Sequence, residues 1–387
     1  MSKSVFPTIL DVAKAHHKNS GHPLRIVFDG RPAFENLAGI GRYTRQMLLD
    51  IEASKIDCEC FVLVKNVHPD TPVKPEMLKK CIPVQANLRG FQWHLLSLLN
   101  PIGKPFDLYY SPSSLIVSAF ARFPTCITIH DLSVLKVPKT QSKKTLLIER
   151  MLLGRAIRKT DCIIVPSHST KQDILDYFQK TDEKKIRIIS EEPAREFSPR
   201  PKDDPMMASV LTKYDVGYKK FFLSVGTIEP RKNYPTLLKA FALYQKQGGK
   251  KKLLIVGKKG WKYQETFETA RKLALGDSAQ IVETVSFQEL PYLYSATACT
   301  LCLSLYEGFG LPAAEAIACG SPLIASNNSS FPEVVGDKGI LVNPRNHEGI
   351  AEALLNIDTI IIPINTQPSY ITPRVVVPSL RRDPGEF

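Results

Sequence analysis

Long apolar runs are absent from this chain of 387 residues. No stretch of roughly 18 consecutive apolar residues occurs, so an ordinary transmembrane helix is not expected. Residues 1–24 form a polar leader without the apolar core of a secretory signal, because His16, His17 and Lys18 stand where that core would lie. The two absences together predict a cytoplasmic protein.

Paired cysteine motifs of the metal-binding kind are also missing. The eight cysteines are scattered, and only Cys299 and Cys302 form a C-x-x-C pair, with no second pair nearby. Both fall in a predicted buried strand. The sequence therefore predicts reduced, packed thiols and no metal site.

The net charge is +13, yet the chain has no recognised nucleic-acid-binding motif and no basic run interleaved with base-stacking aromatics. Positive charge is concentrated in residues 1–200, which hold 30 Lys and Arg against 20 Asp and Glu. An anionic partner is expected for this half. We expect a phosphorylated acceptor or an anionic membrane surface, and no nucleic acid.

Predicted strands and helices alternate through both halves of the chain. A length of 387 residues predicts about two domains, each with its own core. Prolines and charges accumulate over residues 191–205, which makes this stretch the best linker candidate. We therefore place one domain at residues 1–200 and a second at residues 201–357. The predicted fold class is α/β, with two Rossmann-like domains facing across a central cleft.

The most informative stretch runs from Leu301 to Pro332. A short apolar strand leads into a glycine-rich turn and a helix that Pro312 opens and Gly320 closes, and a second strand follows. This βαβ pattern aims the amides at the start of the helix towards an anion. Glu307 and Glu315 flank the turn, where their carboxylates could accept hydrogen bonds from hydroxyl groups. A nucleotide sugar offers both kinds of group.

Two further candidate positions lie in the first half. Gly39 and Gly41 stand just before a predicted helix at residues 42–51, where bare backbone could approach a phosphate or a sugar, or could simply permit a turn. His130 and Asp131 follow a predicted strand, at the edge where open parallel sheets bind ligands. Alternatively, His130 caps the strand and Asp131 starts the next turn.

Charged segments complete the set of candidates. Arg231 and Lys232 are adjacent in a loop after a strand, where they would neutralise a diphosphate leaving group or form a solvated turn. Residues 136–159 mix basic and apolar side chains, as in a basic amphipathic helix that docks on a membrane or an acidic acceptor, or in an ordinary solvated face. Ser330 and Glu333 have the spacing of a helix capping box.

Four segments of the second half resemble the motifs of glycosyltransferase family 4. They are V-G-T-I-E-P-R-K-N at residues 225–233, S-F-Q-E-L-P-Y-L-Y-S-A-T at 286–297, Y-E-G-F-G-L-P-A-A-E-A-I-A-C-G-S-P at 306–322 and S-S-F-P-E-V-V-G at 329–336. In the first half, G-I-G-R-Y-T at residues 39–44 is similar to mannosyltransferases of bacterial surface-polysaccharide assembly. The resemblance covers roughly residues 25–357. It implies a retaining, sugar-nucleotide-dependent enzyme of the GT-B fold.

This resemblance implies a role for each candidate residue in the second half. Glu307 would hold hydroxyls of the donor sugar, and Glu315 would hold the ribose diol. Arg231 and Lys232 would stabilise the departing diphosphate, so that neither a metal nor another cofactor is implied. Further contacts to sugar and phosphate would come from the backbone amides of Gly308, Phe309, Gly310 and Leu311.

In the first half, the same resemblance implies that the backbone at Gly39 and Gly41 approaches the diphosphate. His130 would lie beside the donor sugar and Asp131 near the acceptor. The acceptor would attack on the face from which the diphosphate departs, through an oxocarbenium-like state in which a leaving phosphate oxygen helps to remove its proton, so no protein general base is named. Glu307 as a covalent nucleophile is the alternative, since retaining hydrolases use a carboxylate in that way.

The resemblance also implies the substrates. A hexose would move from a nucleotide-diphosphate sugar to a glycan or lipid-linked acceptor in cell-surface polysaccharide or lipopolysaccharide biosynthesis. GDP-mannose is the first expected donor and a UDP-hexose the second. The basic first half favours a phosphorylated or lipid-linked acceptor and peripheral contact with anionic lipid at the inner face of the cytoplasmic membrane.

Residues 358–387 depart from the family pattern. Five prolines there forbid the helices with which the family normally continues, so we expect a disordered, non-native tail. The alternative function is therefore a truncated, catalytically impaired protein that binds a sugar nucleotide.

Overall fold

Two parallel β-sheets, one in each half of the chain, organise the computed structural model. The structure describes residues 5–17, 21–35, 39–54, 58–69, 71–85 and 91–359. The first sheet contains seven strands and the second contains six, and every pair of neighbouring strands is parallel. The carboxyl ends of all strands in a sheet therefore meet at one edge.

The strands of the first sheet come from the amino-terminal half. They are β1 (Arg25–Asp29), β2 (Glu59–Val64), β3 (Cys81–Gln85), β4 (Leu108–Ser111), β5 (Thr125–Thr128), β6 (Cys162–Val165) and β7 (Ile186–Ile188). Their spatial order is β3-β2-β1-β4-β5-β6-β7, so the order reverses between β1 and β4. Open α/β sheets bind ligands in the crevice at such a reversal.

The second sheet repeats this arrangement in the carboxyl-terminal half. Its strands are β8 (Phe221–Val225), β9 (Lys252–Val256), β10 (Ala279–Val282), β11 (Cys299–Cys302), β12 (Leu323–Ser326) and β13 (Ile340–Val342). Their order is β10-β9-β8-β11-β12-β13, with the reversal between β8 and β11. The two sheets confirm the predicted α/β class with two Rossmann-like units.

Helices connect successive strands in both halves. Those of the first half are α1 (Val5–His16), α2 (Arg31–Glu35), α3 (Gly39–Ala53), α4 (Phe91–Leu99), α5 (Leu115–Phe120), α6 (Ser133–Lys136), α7 (Lys143–Lys159) and α8 (His168–Tyr177). Those of the second half are α9 (Pro205–Lys213), α10 (Tyr234–Lys246), α11 (Gln264–Lys272), α12 (Leu290–Ala296), α13 (Leu311–Ala318), α14 (Phe331–Val335) and α15 (His347–Thr359). None of the described helices is both long and apolar enough to span a bilayer.

Helix α13 has the predicted form. It begins one residue before Pro312, and Gly320, just beyond its end, adopts a positive φ of 71°. Proline in the first turn loses no helical hydrogen bond, and glycine accepts the left-handed conformation that stops the helix. The turn before this helix is thereby fixed at the carboxyl end of β11.

Helix α1 shows that the prediction of a polar leader is wrong. Phe6, Ile9, Leu10 and Ala13 are buried in the core of the first sheet. Their spacing of three and four residues is helical, but the interleaved polar residues and the histidines that follow obscured it. At the other end of the chain, α15 extends into the start of the predicted tail, and residues 360–387 lie outside the described residues.

The cysteines are packed as predicted. All eight are free thiols, and seven are buried. Cys299 and Cys302 lie in β11. Burial raises the pKa of Cys299, and it raises the pKa of Cys302 to about 12. Both thiols therefore remain protonated and serve as small apolar side chains.

Candidate functional site

Glu307 lies at the centre of a charge cluster beyond the carboxyl end of β11. Its Oε2 accepts a hydrogen bond from Arg231 Nη1 at 2.5 Å, and its Oε1 accepts from Lys232 Nζ at 2.5 Å and from Ser304 Oγ at 2.7 Å. Arg231 and Lys232 belong to the 3-10 turn Pro230–Lys232, which follows β8. The two strands at the reversal of the second sheet thus bring opposite charges to one point.

Electrostatics keep Glu307 and Arg231 ionised. Burial alone would raise the pKa of Glu307, but the charges of Arg231 and Lys232 outweigh it and lower the pKa to about 2. Burial would likewise lower the pKa of Arg231, but the surrounding carboxylates, Glu307 first and then Asp131 and Glu229, raise it. Glu307 is therefore a carboxylate at neutral pH and holds both cations in place.

The turn before α13 leaves backbone amides open beside the same cluster, since Lys232, Glu307 and Gly310 line one pocket. The amides of Gly308, Phe309, Gly310 and Leu311 donate to no other described residue. Gly310 has a φ of 100°, and a Cβ there would lie 2.8 Å from the ring of Phe331, so only glycine fits. We call residues 308–311 the anion-binding turn, because open amides at the positive end of a helix, beside two cations, are able to hold an anion.

Glu315 lies on the buried side of α13, with both carboxylate oxygens occupied. Oε1 accepts from Arg42 Nη1 at 2.5 Å, and Oε2 accepts from the hydroxyl of Tyr294 at 2.9 Å. Burial raises the pKa of Glu315, and the charge of Arg42 offsets only part of that rise. Because Arg42 belongs to α3, this ion pair joins the two halves of the chain.

The ring of His130 is held within the first half. Its Nδ1 lies 2.9 Å from Glu191 Oε1, and its Nε2 lies 2.9 Å from the carbonyl oxygen of Pro112. Because a carbonyl only accepts, Nε2 carries a proton. Burial would lower the pKa of His130, but the hydrogen bond and charge of Glu191 outweigh it and raise the pKa. Both ring nitrogens of His130 therefore already have partners, Glu191 and Pro112.

The other candidates of the first half also reach the cleft. Gly39 and Gly41 lie in the first turn of α3, so the prediction that they precede the helix is wrong. A Cβ on Gly39 would lie 3.9 Å from Leu311 Cδ1, which places α3 against the anion-binding turn. Asp131 Oδ1 accepts from the amide of Ser133 at 2.8 Å and so also starts the next turn, as the alternative prediction has it.

Gly308 lies where the backbones of the two halves come close together. Its carbonyl oxygen accepts hydrogen bonds from Ser167 Oγ at 2.6 Å and from Thr170 Oγ1 at 3.1 Å, both at the start of α8. A Cβ on Gly308 would lie 1.7 Å from the carbonyl oxygen of His130. Only a bare backbone allows the halves to meet here.

Glu333 also bridges the two halves, so the capping box predicted for Ser330 and Glu333 is wrong. The carboxylate of Glu333 accepts from the amides of His168 at 3.0 Å and Ser169 at 3.3 Å, which are the first amides of α8 in the other half. Ser330 Oγ instead donates towards the carbonyl oxygens of the turn, reaching Phe309 O at 2.7 Å. A helix of the first half is thus capped by the second.

Three residues of the site were not predicted from the sequence. Arg42 directly follows the glycines of the G-I-G-R-Y-T motif, and a cation at that place was the signal available for it. The accumulation of prolines and charges places Glu191 at the start of the predicted linker, yet Glu191 pairs with His130. Tyr294 lies in a short buried helix, where no local feature marks its hydroxyl as a partner of Glu315.

Two family models match the two halves of the chain. Residues 37–191 match the model described as Glycosyltransferase Family 4. Residues 215–357 match the model described as Glycosyl transferases group 1. The boundary between the matches falls between β7 and β8, where the first sheet ends and the second begins.

Two bacterial proteins are similar to this chain over much of their length. The O-antigen chain mannosyltransferase B of Escherichia coli is 29% identical over 349 residues, covering 86% of this chain and 90% of that protein. The O-antigen chain mannosyltransferase RfbU of Salmonella typhimurium is 26% identical over 249 residues, covering 63% and 64%.

Solved structures share the fold. The sucrose-phosphate synthase of Thermosynechococcus elongatus superposes with a TM-score of 0.69 at 21% identity, covering 86% of this chain and 89% of that one. HepE of Anabaena, in complex with UDP and glucose, gives a TM-score of 0.67 at 18% identity, covering 87% and 90%. These likenesses concern the fold alone, and they confirm the predicted GT-B arrangement.

Proposed function

Because this chain belongs to the glycosyltransferases of family 4, with the GT-B fold, we propose that it transfers a hexose, with retention of configuration, from a nucleotide-diphosphate sugar. Mannose is the proposed sugar and GDP-mannose the proposed donor, with a UDP-hexose as the second candidate. The proposed acceptor is a glycan or lipid-linked saccharide of a cell-surface polysaccharide or lipopolysaccharide.

One observation carries this proposal: two partly buried cations and a set of open amides lie around Glu307, beyond β11. Arg231 and Lys232 offer the positive charge that a departing diphosphate needs. The amides of the turn before α13 would donate hydrogen bonds to the same diphosphate. Because the site is already charged and held by Glu307, little reorganisation is required when the negative charge develops.

Each residue of the site would have its own role in binding the donor and the acceptor. On donor binding, the diphosphate would share the cations that Glu307 holds in the structure, and the carboxylate oxygens would turn to accept hydrogen bonds from hydroxyls of the sugar. Glu315 would receive the ribose diol. The backbone at Gly39 and Gly41 would approach the diphosphate, while His130 and Asp131 would border the sugar and the acceptor.

The proposed substrates rest on the similar proteins. Both the Escherichia coli and the Salmonella proteins are named as O-antigen chain mannosyltransferases, which supports mannose and a polysaccharide acceptor. HepE of Anabaena has been crystallised with UDP-glucose, which keeps a UDP-hexose as the second candidate donor. We also propose that no metal ion is needed, since Arg231 and Lys232 neutralise the leaving group.

A thermal-shift and turnover experiment tests the donor. GDP-mannose is expected to raise the melting temperature more than UDP-glucose, because a ligand at about 100 times its Kd stabilises the folded state by about 2.7 kcal/mol. Release of GDP from GDP-mannose is then measured with and without EDTA, and equal rates are expected.

Each outcome of that experiment has a definite meaning. Stabilisation by neither sugar nucleotide would contradict the proposed function. Stabilisation without release of nucleoside diphosphate would favour the catalytically impaired binding protein. A rate that EDTA abolishes and Mg²⁺ restores would contradict the metal-free step.

We further propose that one surface of the first half docks on anionic lipid. Helix α5 contacts both α4 and α7, and these three helices expose large apolar side chains. The most exposed are Leu99 at 70%, Met151 at 70% and Leu147 at 64%. Arg155 stacks on the exposed ring of Phe120 at 4.8 Å, so positive charge lies within the apolar surface. A surface that combines positive charge with exposed apolar area is expected to bind an anionic bilayer.

Vesicle flotation tests this surface. The chain is expected to float with vesicles containing phosphatidylglycerol at low salt and to remain behind with phosphatidylcholine alone, since each basic residue adds about 1 kcal/mol near an anionic surface. Substituting both Leu147→Ser and Met151→Ser should abolish flotation. Met206→Ser, which changes a methionine that is 48% exposed in the other half, is the matched control. Flotation that survives the double substitution would refute the assignment.

A further inference from the structure

Arg42 occupies the carboxylate that the proposed function reserves for the donor ribose. Its guanidinium lies 2.5 Å from Glu315 Oε1, while its carbon Cζ lies 6.0 Å from the centre of the Phe287 ring. The Arg42 side chain is 26% exposed and that of Glu315 is 1% exposed. The cation thus covers the side of Glu315 that faces the cleft.

The second partner of Glu315 is of a different kind. Tyr294 is fully buried and donates its hydroxyl to Oε2 from within the same half. A ligand entering the cleft cannot reach that bond without unfolding the core. It can reach the bond to Arg42, because Arg42 is partly exposed and belongs to the other half. Of the two, only the bond to Arg42 is open to exchange.

A displaced Arg42 would remain close to the anion-binding turn. Arg42 lies one helical turn beyond Gly39, which faces Leu311 at the start of α13. The same end of α13 offers open amides, and Lys232 lies close enough for its charge to act on Glu315. Guanidinium groups bind phosphate in a bidentate manner, so a diphosphate at this turn would be a strong second partner.

We propose that Arg42 exchanges partners when the donor binds. In the empty site, Arg42 pairs with Glu315. In the occupied site, Arg42 binds the diphosphate, and the ribose diol takes its place on Glu315. This inference rests on the proposed function and adds a residue to it. Arg42 is thereby the residue of α3 that contacts the bound donor and keeps the two halves together.

The exchange has opposite consequences for two related ligands. A nucleoside has the ribose but no phosphate, so it must displace Arg42 without offering it a new partner. A nucleoside diphosphate offers that partner. Removing Arg42 should therefore tighten the binding of the nucleoside and weaken the binding of the diphosphate, a pattern that simple loss of a structural contact would not produce.

Binding measurements on three proteins test this inference. We measure Kd values of guanosine and GDP, with uridine and UDP in parallel, for the wild-type chain, Arg42→Ala and the control Tyr294→Phe. In Arg42→Ala, guanosine is expected to bind about tenfold more tightly and GDP about tenfold more weakly, so that the ratio of the two Kd values shifts about a hundredfold. Tyr294→Phe removes the other partner of Glu315 and should leave the ratio unchanged.

The outcomes separate this inference from the proposed function. Binding to the wild-type chain with an unchanged ratio in Arg42→Ala would overturn the exchange and leave the donor site standing. Binding of neither nucleotide to the wild-type chain would overturn both. Arg42→Lys keeps the charge but not the bidentate geometry. Its affinity for the nucleoside should be as weak as that of the wild-type chain, and its affinity for GDP should lie between those of the wild type and Arg42→Ala. Full recovery of GDP binding in Arg42→Lys would contradict the bidentate binding of the diphosphate by Arg42.

Discussion

Replacing Glu307 by glutamine is expected to lower kcat/KM for transfer by about a thousandfold, equivalent to about 4 kcal/mol of transition-state stabilisation. The carboxylate holds Arg231 and Lys232 at 2.5 Å each, and glutamine carries no charge with which to hold them. Two cations that lose their counter-charge will move away from the leaving-group position. Steady-state release of nucleoside diphosphate measures the effect.

Glu229→Gln is the matched control. Glu229 also pairs with Arg231, at 2.9 Å, but it is more exposed than Glu307, and its carboxylate forms no ion pair with Lys232. Its loss should change kcat/KM by less than about tenfold, as expected for a partly solvated ion pair. Equal losses in the two variants, or near-normal transfer by Glu307→Gln, would remove Glu307 from the centre of the site.

Glu307→Gln should also change how the free energy of unfolding depends on pH. The folded pKa of Glu307 is about 2, below the ordinary value of 4.5, so ionisation favours the folded state. The sign follows directly: this contribution of about 3 kcal/mol is present above pH ~4.5 and is lost as the pH falls towards 2. The difference in unfolding free energy between wild type and Glu307→Gln should therefore shrink across that interval.

Gly308→Ala is expected to reduce transfer by at least about a thousandfold while leaving each sheet folded. The new Cβ would lie 1.7 Å from the carbonyl oxygen of His130 and 2.9 Å from Asp131 Cβ. One of these atoms is backbone of the opposite half and cannot rotate away, so the halves must separate. Separation removes the first-half residues from the donor site, and a larger radius of gyration in solution scattering should accompany the loss of activity.

Gly217→Ala provides the matched control for that substitution. A Cβ at Gly217 would lie 3.2 Å from Cβ and Cγ of Lys220, so these atoms need to give by only a fraction of an ångström. Activity and radius of gyration should both stay within error of the wild-type values. A Gly308→Ala protein that keeps normal transfer would show that catalysis does not require the close approach seen here.

Local signals explain why much of the second half was predictable. The start and end of α13 are set by Pro312 and Gly320, which act within one turn of the backbone. Adjacent cations after β8 and a carboxylate after β11 meet because parallel strands end at one edge. These features depend on residue type and on strand order, and a single sequence carries both.

The remaining features of the site depend on contacts that no local pattern encodes. Arg42 and Glu315 are 273 positions apart in the chain, and their pairing requires both sheets and the cleft between them. Glu333 has the spacing of a capping residue, but its carboxylate finds amides of another helix. Helix α1 was missed for a different reason, because short apolar pairs among polar residues resemble a solvated segment.

The carboxylate of Glu333 couples the contact between the two halves to the capping of α8. While the halves are together, it satisfies the amides of His168 and Ser169, and Ser167 at the same helix end donates to Gly308. Parting the halves would leave those groups to water, so each opening of the cleft would cost the start of α8 its contacts with the second half. The stability of that helix end and the closed state of the cleft are therefore coupled, although α8 lies outside the proposed donor site.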